Sequence, residues 1–238
     1  ENAGATCLRP GGNTKQDAYW NTIDVWLNNC TSIAGSGDGG VYYFNVDDGW
    51  IFHVTSEHTK GHCIKVGDSV GGRNNTVEWS IANGCGWYPD WDGPTSYWGS
   101  HPDGIDFPAD PSTQGGNYNA VIRYNIIKTT LMMGVQIRLT SGYNFHHNEI
   151  LDTPNYNKIS GSEPHGLGSS QLAILMPGGT GLVYSNLIHS PGDVQGAIGI
   201  KADYNQNTPS TLSIFNNVIY GHSTGILLTE KVSAKTRI

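Results

Sequence analysis

Charge is scarce in this chain. Only 14% of its 238 residues are charged, and 13 Lys and Arg stand against 20 Asp and Glu, for a net charge of −7. A surface that grips phosphates needs a basic stripe, so nucleic acid is not an expected partner. Long apolar runs are missing too. No stretch reaches the roughly 18 consecutive apolar residues of a membrane-spanning helix, so no membrane partner is expected. Strong helix formers are sparse, which argues against a helical domain. No Pro/Ser-rich segment or block of like charge breaks the chain, so residues 1–238 read as one domain. The four cysteines, Cys7, Cys30, Cys63 and Cys85, show no paired C-x-x-C spacing, which argues against a cysteine zinc site.

What is abundant is turn and strand chemistry. Glycine contributes 32 residues, and Asn, Thr and Ser fill much of the polar share. Glycine and Asn tolerate the positive φ of tight corners. One or two disulfides in a secreted protein is the preferred reading of the cysteines, with buried thiols as the alternative. Asn29-Cys30-Thr31 and Asn74-Asn75-Thr76 fit the glycosylation pattern. The chain begins at Glu1 without a Met or a signal peptide, and so reads as processed or excised from a longer protein.

Two motifs alternate along the sequence. The first is a small residue followed by alternating apolar positions. It occurs at Gly40-Val41-Tyr42-Tyr43, Ile64-Lys65-Val66, Gly104-Ile105-Asp106-Phe107, Gly134-Val135-Gln136-Ile137, Ala173-Ile174-Leu175-Met176, Ile198-Gly199-Ile200 and Gly225-Ile226-Leu227-Leu228. The second is an apolar residue, two others, then Asn or Ser, then an apolar residue two further on. It runs through Val77 to Ala82, Ile122 to Ile127, Phe145 to Ile150, Val183 to Ile188 and Ile214 to Ile219.

Period-2 alternation over a few residues means a strand with one buried face. Short strands recurring every 20 to 45 residues or so mean a repeat architecture. The expected fold is therefore all-β: a right-handed parallel β-helix, a solenoid of about six to eight coils. An antiparallel sandwich has no reason to put Asn at one offset in successive units. In a β-helix, Ser80, Asn125, Asn148, Asn186 and Asn217 would take the bend at one corner and bond to one another as a ladder. Residues 1–35 read as an N-terminal cap or a first coil. Within them, 14–30 form either an amphipathic helix with Ala18, Ile23, Trp26 and Leu27 on one side, or a coil through Val25 to Cys30. At the other end, the strand begun by Leu227 and Leu228 would expose an edge that the tail, another chain or a further segment must cover, leaving room for end-to-end association.

Insertions in a solenoid gather on the binding face. Residues 86–102 form one, with three Trp and two Tyr between 87 and 98; residues 152–170 form another. Flat rings beside acids suit sugars, so Trp87, Trp91, Tyr97, Trp98 and His101 are candidate substrate contacts, although a loop folded over the core as a lid would use the same rings. The first insertion leads into Asp103 and Asp106. Aligning coils sets Lys65 one rung above Asp106 and Gln136 one rung below, with Asp103 and His62 at a shared corner and Asp68 and Arg138 just past neighbouring strands. Carboxylates of this kind suit Ca²⁺, with Asp103, Asp106 and Asp68 as ligands. Lys65 would be the base that removes a proton α to a uronate carboxylate, since nearby positive charge favours a neutral amine, and Arg138 would bind or stabilise charge. A plain Lys65–Asp106 salt bridge contributes little. Few of His53, His58, His62 and the pair His146-His147 are expected to converge, because strand neighbours point to opposite sides, which leaves a histidine metal site as the lesser alternative.

Over residues 23–230 the pattern resembles the pectate-lyase-like β-helix superfamily. Gly61-His62-Cys63-Ile64-Lys65-Val66-Gly67 is similar to the segment of family nine polysaccharide lyases that carries the catalytic lysine, which falls on Lys65. Asp47-Asp48-Gly49-Trp50 and Asp103-Gly104-Ile105-Asp106-Phe107 each resemble that family's calcium-binding motif. Pro102-Asp103-Gly104-Ile105-Asp106, Pro164-His165-Gly166 and Ile200-Lys201 are similar to three polygalacturonase motifs, but that family's paired aspartates fall near Met132 and Met133, and hydrolysis needs two carboxyls. The resemblance implies a secreted lyase acting on an acidic polysaccharide. The rival readings are a non-catalytic glycan-binding module, adhesin or fibre subunit, and a polygalacturonase-like hydrolase.

Overall fold

The structure, a computed structural model, describes residues 8, 17–18, 21–28, 39–43, 45–59, 61–67, 72–86, 103–108, 117–130, 133–152, 172–190, 197–203, 210–229 and 233–237. All but two of its described strands fall into three parallel sheets that the chain visits in strict rotation; Asp17–Ala18 and Val46–Asp47 make a separate two-stranded parallel pair. Sheet 1 stacks Val41–Tyr43, Ile64–Val66, Ile105–Phe107, Val135–Ile137, Leu172–Pro177, Ile198–Asp203 and Thr224–Leu228. Sheet 2 stacks Asn21–Ile23, Trp50–Phe52, Thr76–Glu78, Val121–Arg123, Thr140–His146, Gly179–Tyr184, Ser210–Phe215 and Ser233–Arg237. Sheet 3 stacks Trp26–Asn28, Thr55–Glu57, Ile81–Asn83, Ile126–Lys128, Glu149–Leu151, Leu187–His189 and Val218–Tyr220. The fold is a right-handed parallel β-helix of about seven coils. In the first coil, the described part of 14–30 is strand: Asp17–Ala18 pairs with Val46–Asp47, and Asn21–Ile23 and Trp26–Asn28 join sheets 2 and 3. Among the described residues no helix is long and apolar enough to cross a membrane.

Each first-motif segment is a strand of sheet 1, and each second-motif unit bends from sheet 2 into sheet 3. Alternation sends one file of side chains inward. In sheet 2 that file is Ile51, Val77, Ile122, Phe145, Val183 and Ile214, all buried. Sheet 3 contributes Ala82, Ile127, Ile150 and Ile188. The small residue that opens the first motif has a steric cause. A Cβ at Gly104 would lie 2.3 Å from Ile127 Cγ2, and one at Gly199 would lie 2.5 Å from Ile219 Cγ2. Sheet 1 starts where the inner side chains of sheet 3 leave no room.

The ladder forms as expected. Ser80 N–H donates to Asn125 Oδ1 at 2.9 Å. Asn125 Nδ2 donates to Asn148 Oδ1 at 3.0 Å, Asn148 Nδ2 to Asn186 Oδ1 at 3.1 Å, and Asn186 Nδ2 to Asn217 Oδ1 at 2.9 Å. The backbone N–H groups of Asn125, Asn148 and Asn186 also reach the next Oδ1. One detail differs from expectation. The ladder residues do not take the left-handed bend; the residue before each does. Asp24, His53, Trp79, Tyr124, His147, Ser185 and Asn216 have φ between 51 and 56°. That conformation costs about 1–2 kcal/mol per non-glycine residue, and the ladder bonds, at about 1 kcal/mol net each, offset it.

Successive ladder positions are 26, 45, 23, 38 and 31 residues apart, starting from Val54, whose N–H bonds to Ser80 Oγ. The variation enters between strands, so the rungs stay in register while connections differ. A disulfide joins Cys63, just before one sheet 1 strand, to Cys85, just after the sheet 3 strand of the same coil. Cys7 and Cys30 lie outside the described residues. The last rungs expose Val218, Tyr220 and Leu228.

Asn148 bonds to the rungs on both sides. Replacing it with Ala strands the Asn125 donors and the Ile122 carbonyl in a buried corner, at about 1–3 kcal/mol for each group left unpaired. Asn217 is only partly buried. Urea unfolding followed by circular dichroism should therefore show a clearly larger loss of stability for Asn148→Ala than for Asn217→Ala.

Candidate functional site

The outward file of sheet 1 runs Tyr42, Lys65, Asp106, Gln136, Leu175, Lys201, Leu227, one residue per rung. Outward residues of a sheet normally meet water, yet Tyr42 is 1% exposed and Asp106 and Gln136 are each 3% exposed. The upper part of this face is shielded from solvent. Lys65 is half-buried, with Nζ 4.5 Å from the centre of the Tyr42 ring, in reach of a cation–π interaction. Arg138 follows the next strand but one and is also half-buried; its Nη2 donates to Gln136 Oε1 at 3.1 Å.

The corner ahead of these strands adds His62 and Asp103. His62 sits on the Lys65 rung, and Asp103 on the Asp106 rung. His62 Nδ1 is 3.6 Å from Asp103 Oδ2, and Nε2 is 3.6 Å from Asp106 Oδ2. The Asp103 N–H donates to His62 Nδ1 at 3.2 Å. This bond leaves Nδ1 as the acceptor, so in the neutral ring Nε2 carries the proton towards Asp106. Asp103 is fully buried, and neither of its carboxylate oxygens has a hydrogen-bond partner. Burial holds its carboxyl well above the ordinary range, and the neighbouring Asp106 pushes the same way. The Met133 backbone, Arg138 and Lys65 act in the opposite sense and do not reverse it.

His62, Asp103 and Asp106 offer donor atoms that all lie within 4.8 Å of one another, a grouping that could hold a metal ion. The bare buried carboxylate of Asp103 is the mark of a missing cation or proton. The donors fit a divalent cation in number and charge. They do not make calcium's shell of about six to eight oxygens, because one is an imidazole. Asp68, the third expected calcium ligand, lies outside the described residues.

Of the expected site residues, Lys65, Arg138, Asp103 and Asp106 come together. Lys65 pairs directly with Asp106, and both Lys65 and Arg138 act electrostatically on Asp103. Trp87, Trp91, Tyr97, Trp98 and His101 lie outside the described residues, as do 153–170 of the second insertion. Asp47 and Asp48 do not join the site. They sit at the corner entering sheet 2, where Asp47 Oδ1 accepts from Arg73 N–H and Asp48 Oδ1 from Asn74 Nδ2. Lys201 is three rungs below Asp106, about 14 Å at the usual strand spacing, and pairs with Asp203 instead. Of the three polygalacturonase-like segments, the first and the last therefore do not meet, and Pro164-His165-Gly166 lies outside the described residues. His62 was visible in the sequence only as a corner residue; its place between two carboxylates follows from the way the corner stacks.

The outer edge of sheet 2 carries rings that the sequence motifs hid. Trp79 stacks on Tyr124 at 4.5 Å, His146 on Tyr184 at 4.8 Å, and Tyr184 on Phe215 at 5.0 Å. Each stacked pair shields a face of both its rings. Among them, His146 Nδ1 and His147 Nδ1 lie 2.8 Å apart, which corrects the expectation that these neighbours diverge. The positive φ of His147 breaks strand alternation and returns its ring to the side of His146.

No family model matches the chain, and no curated protein matches it. Among solved structures, an alginate lyase from Paenibacillus sp. str. FPU-7 is similar at 14% identity and a TM-score of 0.47, over 91% of this chain and 74% of that one. Two structures of the Streptococcus pneumoniae surface adhesin PfbA are similar at 10% and 12% identity, with TM-scores of 0.34 and 0.36. They cover 99% and 98% of this chain and 80% and 75% of theirs.

Burial, His147 and Arg123 all lower the affinity of His146 for a proton. The unfolded chain protonates this residue near its ordinary value of 6.5, where the folded chain resists. Its contribution to stability is thus complete above that value and is lost as pH falls towards the folded one. Denaturation between pH 5 and pH 8, or about that range, should show a shallower acid-side loss in His146→Gln than in the parent.

Proposed function

We propose that this chain is a secreted carbohydrate-active protein, a lyase that cleaves an acidic, uronate-containing polysaccharide by β-elimination on the outer face of sheet 1. The observation that supports this most is the register of Lys65 on Asp106, with Gln136 and Arg138 one rung further. An amine, a guanidinium and carboxylates then line one strip of about 10 Å, two strand spacings. Lys65, held over Tyr42, would take the C5 proton of a uronate residue. Arg138 would face the uronate carboxylate, whose resonance accepts the electron pair left at C5. The pair then forms the C4–C5 double bond as the C4–O bond breaks, and the departing oxygen gains a proton. A divalent cation at Asp103 and Asp106 would supply neutralisation of the substrate carboxylate; calcium is the ion that the sequence resemblance implies. Trp87, Trp91, Tyr97, Trp98 and His101 remain the proposed sugar contacts. The Cys63–Cys85 disulfide supports an extracellular, oxidising setting.

The burial of His62, Asp103 and Asp106 favours a second reading, in which the cluster is structural and the chain is a glycan-binding module, adhesin or fibre subunit.

Incubation with pectate or alginate and a divalent cation decides between these. A lyase generates an unsaturated uronate, seen as new ultraviolet absorbance, and Lys65→Ala should lower that rate by about 100-fold or more while folding normally. Reducing ends without the absorbance would mean hydrolysis. Glycan retention without cleavage, unchanged in Lys65→Ala, would establish the binding module.

A further inference from the structure

We propose that His62, Asp103 and Asp106 bind a divalent transition ion of the zinc class in preference to calcium. Metal binding at this cluster does not depend on the lyase reading, since the donors stand whether or not a glycan is cleaved.

Three observations carry the assignment. Asp103 is 0% exposed with both carboxylate oxygens lacking a hydrogen-bond partner, and Oδ2 is directed at His62 from 3.6 Å. A carboxyl so placed must be neutralised by a proton or by a positive partner, because an isolated buried charge is prohibitively unfavourable. Lys65 and Arg138 lie close enough to influence it, but neither forms an ion pair with it among the described residues, and both keep half-exposed side chains. A small ion in contact with the carboxylate is a better match.

The second observation is the imidazole. Its Nδ1 lone pair accepts the Asp103 N–H, and an ion ligated at Nδ1 would take that lone pair in place of this bond. Neutral imidazole suits zinc and its neighbours, whereas calcium selects oxygen. The third is spacing. A tetrahedral ion with bonds of about 2.0–2.1 Å holds its donors about 3.3–3.4 Å apart. Nδ1 and Asp103 Oδ2 are 3.6 Å apart, and the third donor lies within 4.8 Å. Small side-chain rotations would close the set around one ion. Three protein donors leave zinc a fourth position, but leave calcium short of half its usual shell or more.

The test uses the full chain, stripped of metal with a chelator and free of glycan, titrated with Zn²⁺, Mn²⁺ and Ca²⁺ by calorimetry. Zinc should bind one ion per chain at least about tenfold more tightly than calcium, a difference of about 1.4 kcal/mol. Cobalt substitution should give visible ligand-field bands of a nitrogen- and oxygen-ligated ion. Those bands should be lost in His62→Gln, and zinc binding should be lost in Asp103→Asn, which removes a buried charge and is expected to keep its fold. Calcium binding as tight as zinc, no binding of any ion, or zinc binding unaltered in both variants would each overturn the proposal. The cobalt spectrum of the parent protein decides the point if either variant misfolds. Because no glycan is present, a chain that cleaves nothing still answers the question. A chain that cleaves uronates yet binds no transition ion would refute this inference and leave the lyase reading standing.

Discussion

Registry between coils is the constraint on which everything else in this protein depends. Each strand finds its backbone partners only in the coils directly above and below, and every one of these pairings is parallel. A slip by one residue would turn the inner file of each sheet outward and end the core. The asparagine file resists such slips. Its amides bond only when the same corner recurs at the same height, so a misplaced coil would bury unpaired donors. Local strain at the left-handed residue ahead of each corner is sustained by the same bonds.

Registry also makes the candidate site. His62 and Asp103 are 41 residues apart, yet one coil brings them into contact. The site joins contributions from three successive rungs of one sheet, and no rung holds it alone. Its electrostatics are unbalanced in an informative way. Two carboxylates are withdrawn from water while the basic groups stay at the margin. Such an arrangement is poor for stability on its own and acquires sense from something bound there.

Much of the architecture was legible in the sequence because the strands are short and their periods differ from those of the corners. The seven apolar segments, the five ladder positions and the pairing of Lys65 with Asp106 all follow from aligning repeats. Other features were not legible, for definite reasons. The grouping of His62 with both aspartates depends on how a corner stacks on a strand end, which a linear alignment leaves open. The convergence of His146 and His147 was misread because alternation was extended through a residue that interrupts it. Asp47 and Asp48 look like metal ligands through the motif they resemble, but the corner engages Asp47 Oδ1 and Asp48 Oδ1 with Arg73 and Asn74. The aromatic segment around Trp87 to Trp98 could be identified by its content, while its connections fall outside the described residues.

The Cys63–Cys85 bridge has a consequence for how the molecule can come apart. It spans 22 residues, one full circuit of the solenoid, and a loop of that size restrains the unfolded chain by about 3 kcal/mol. The circuit is thereby a covalent washer in a stack otherwise held by weak forces. Unwinding that enters from either end of the column can open this circuit only as a closed loop while the bridge stands. Lys65 lies on the ring itself and His62 immediately precedes its first sulfur, so reducing agents would act on the protein at a definite address, beside the basic side of the cluster.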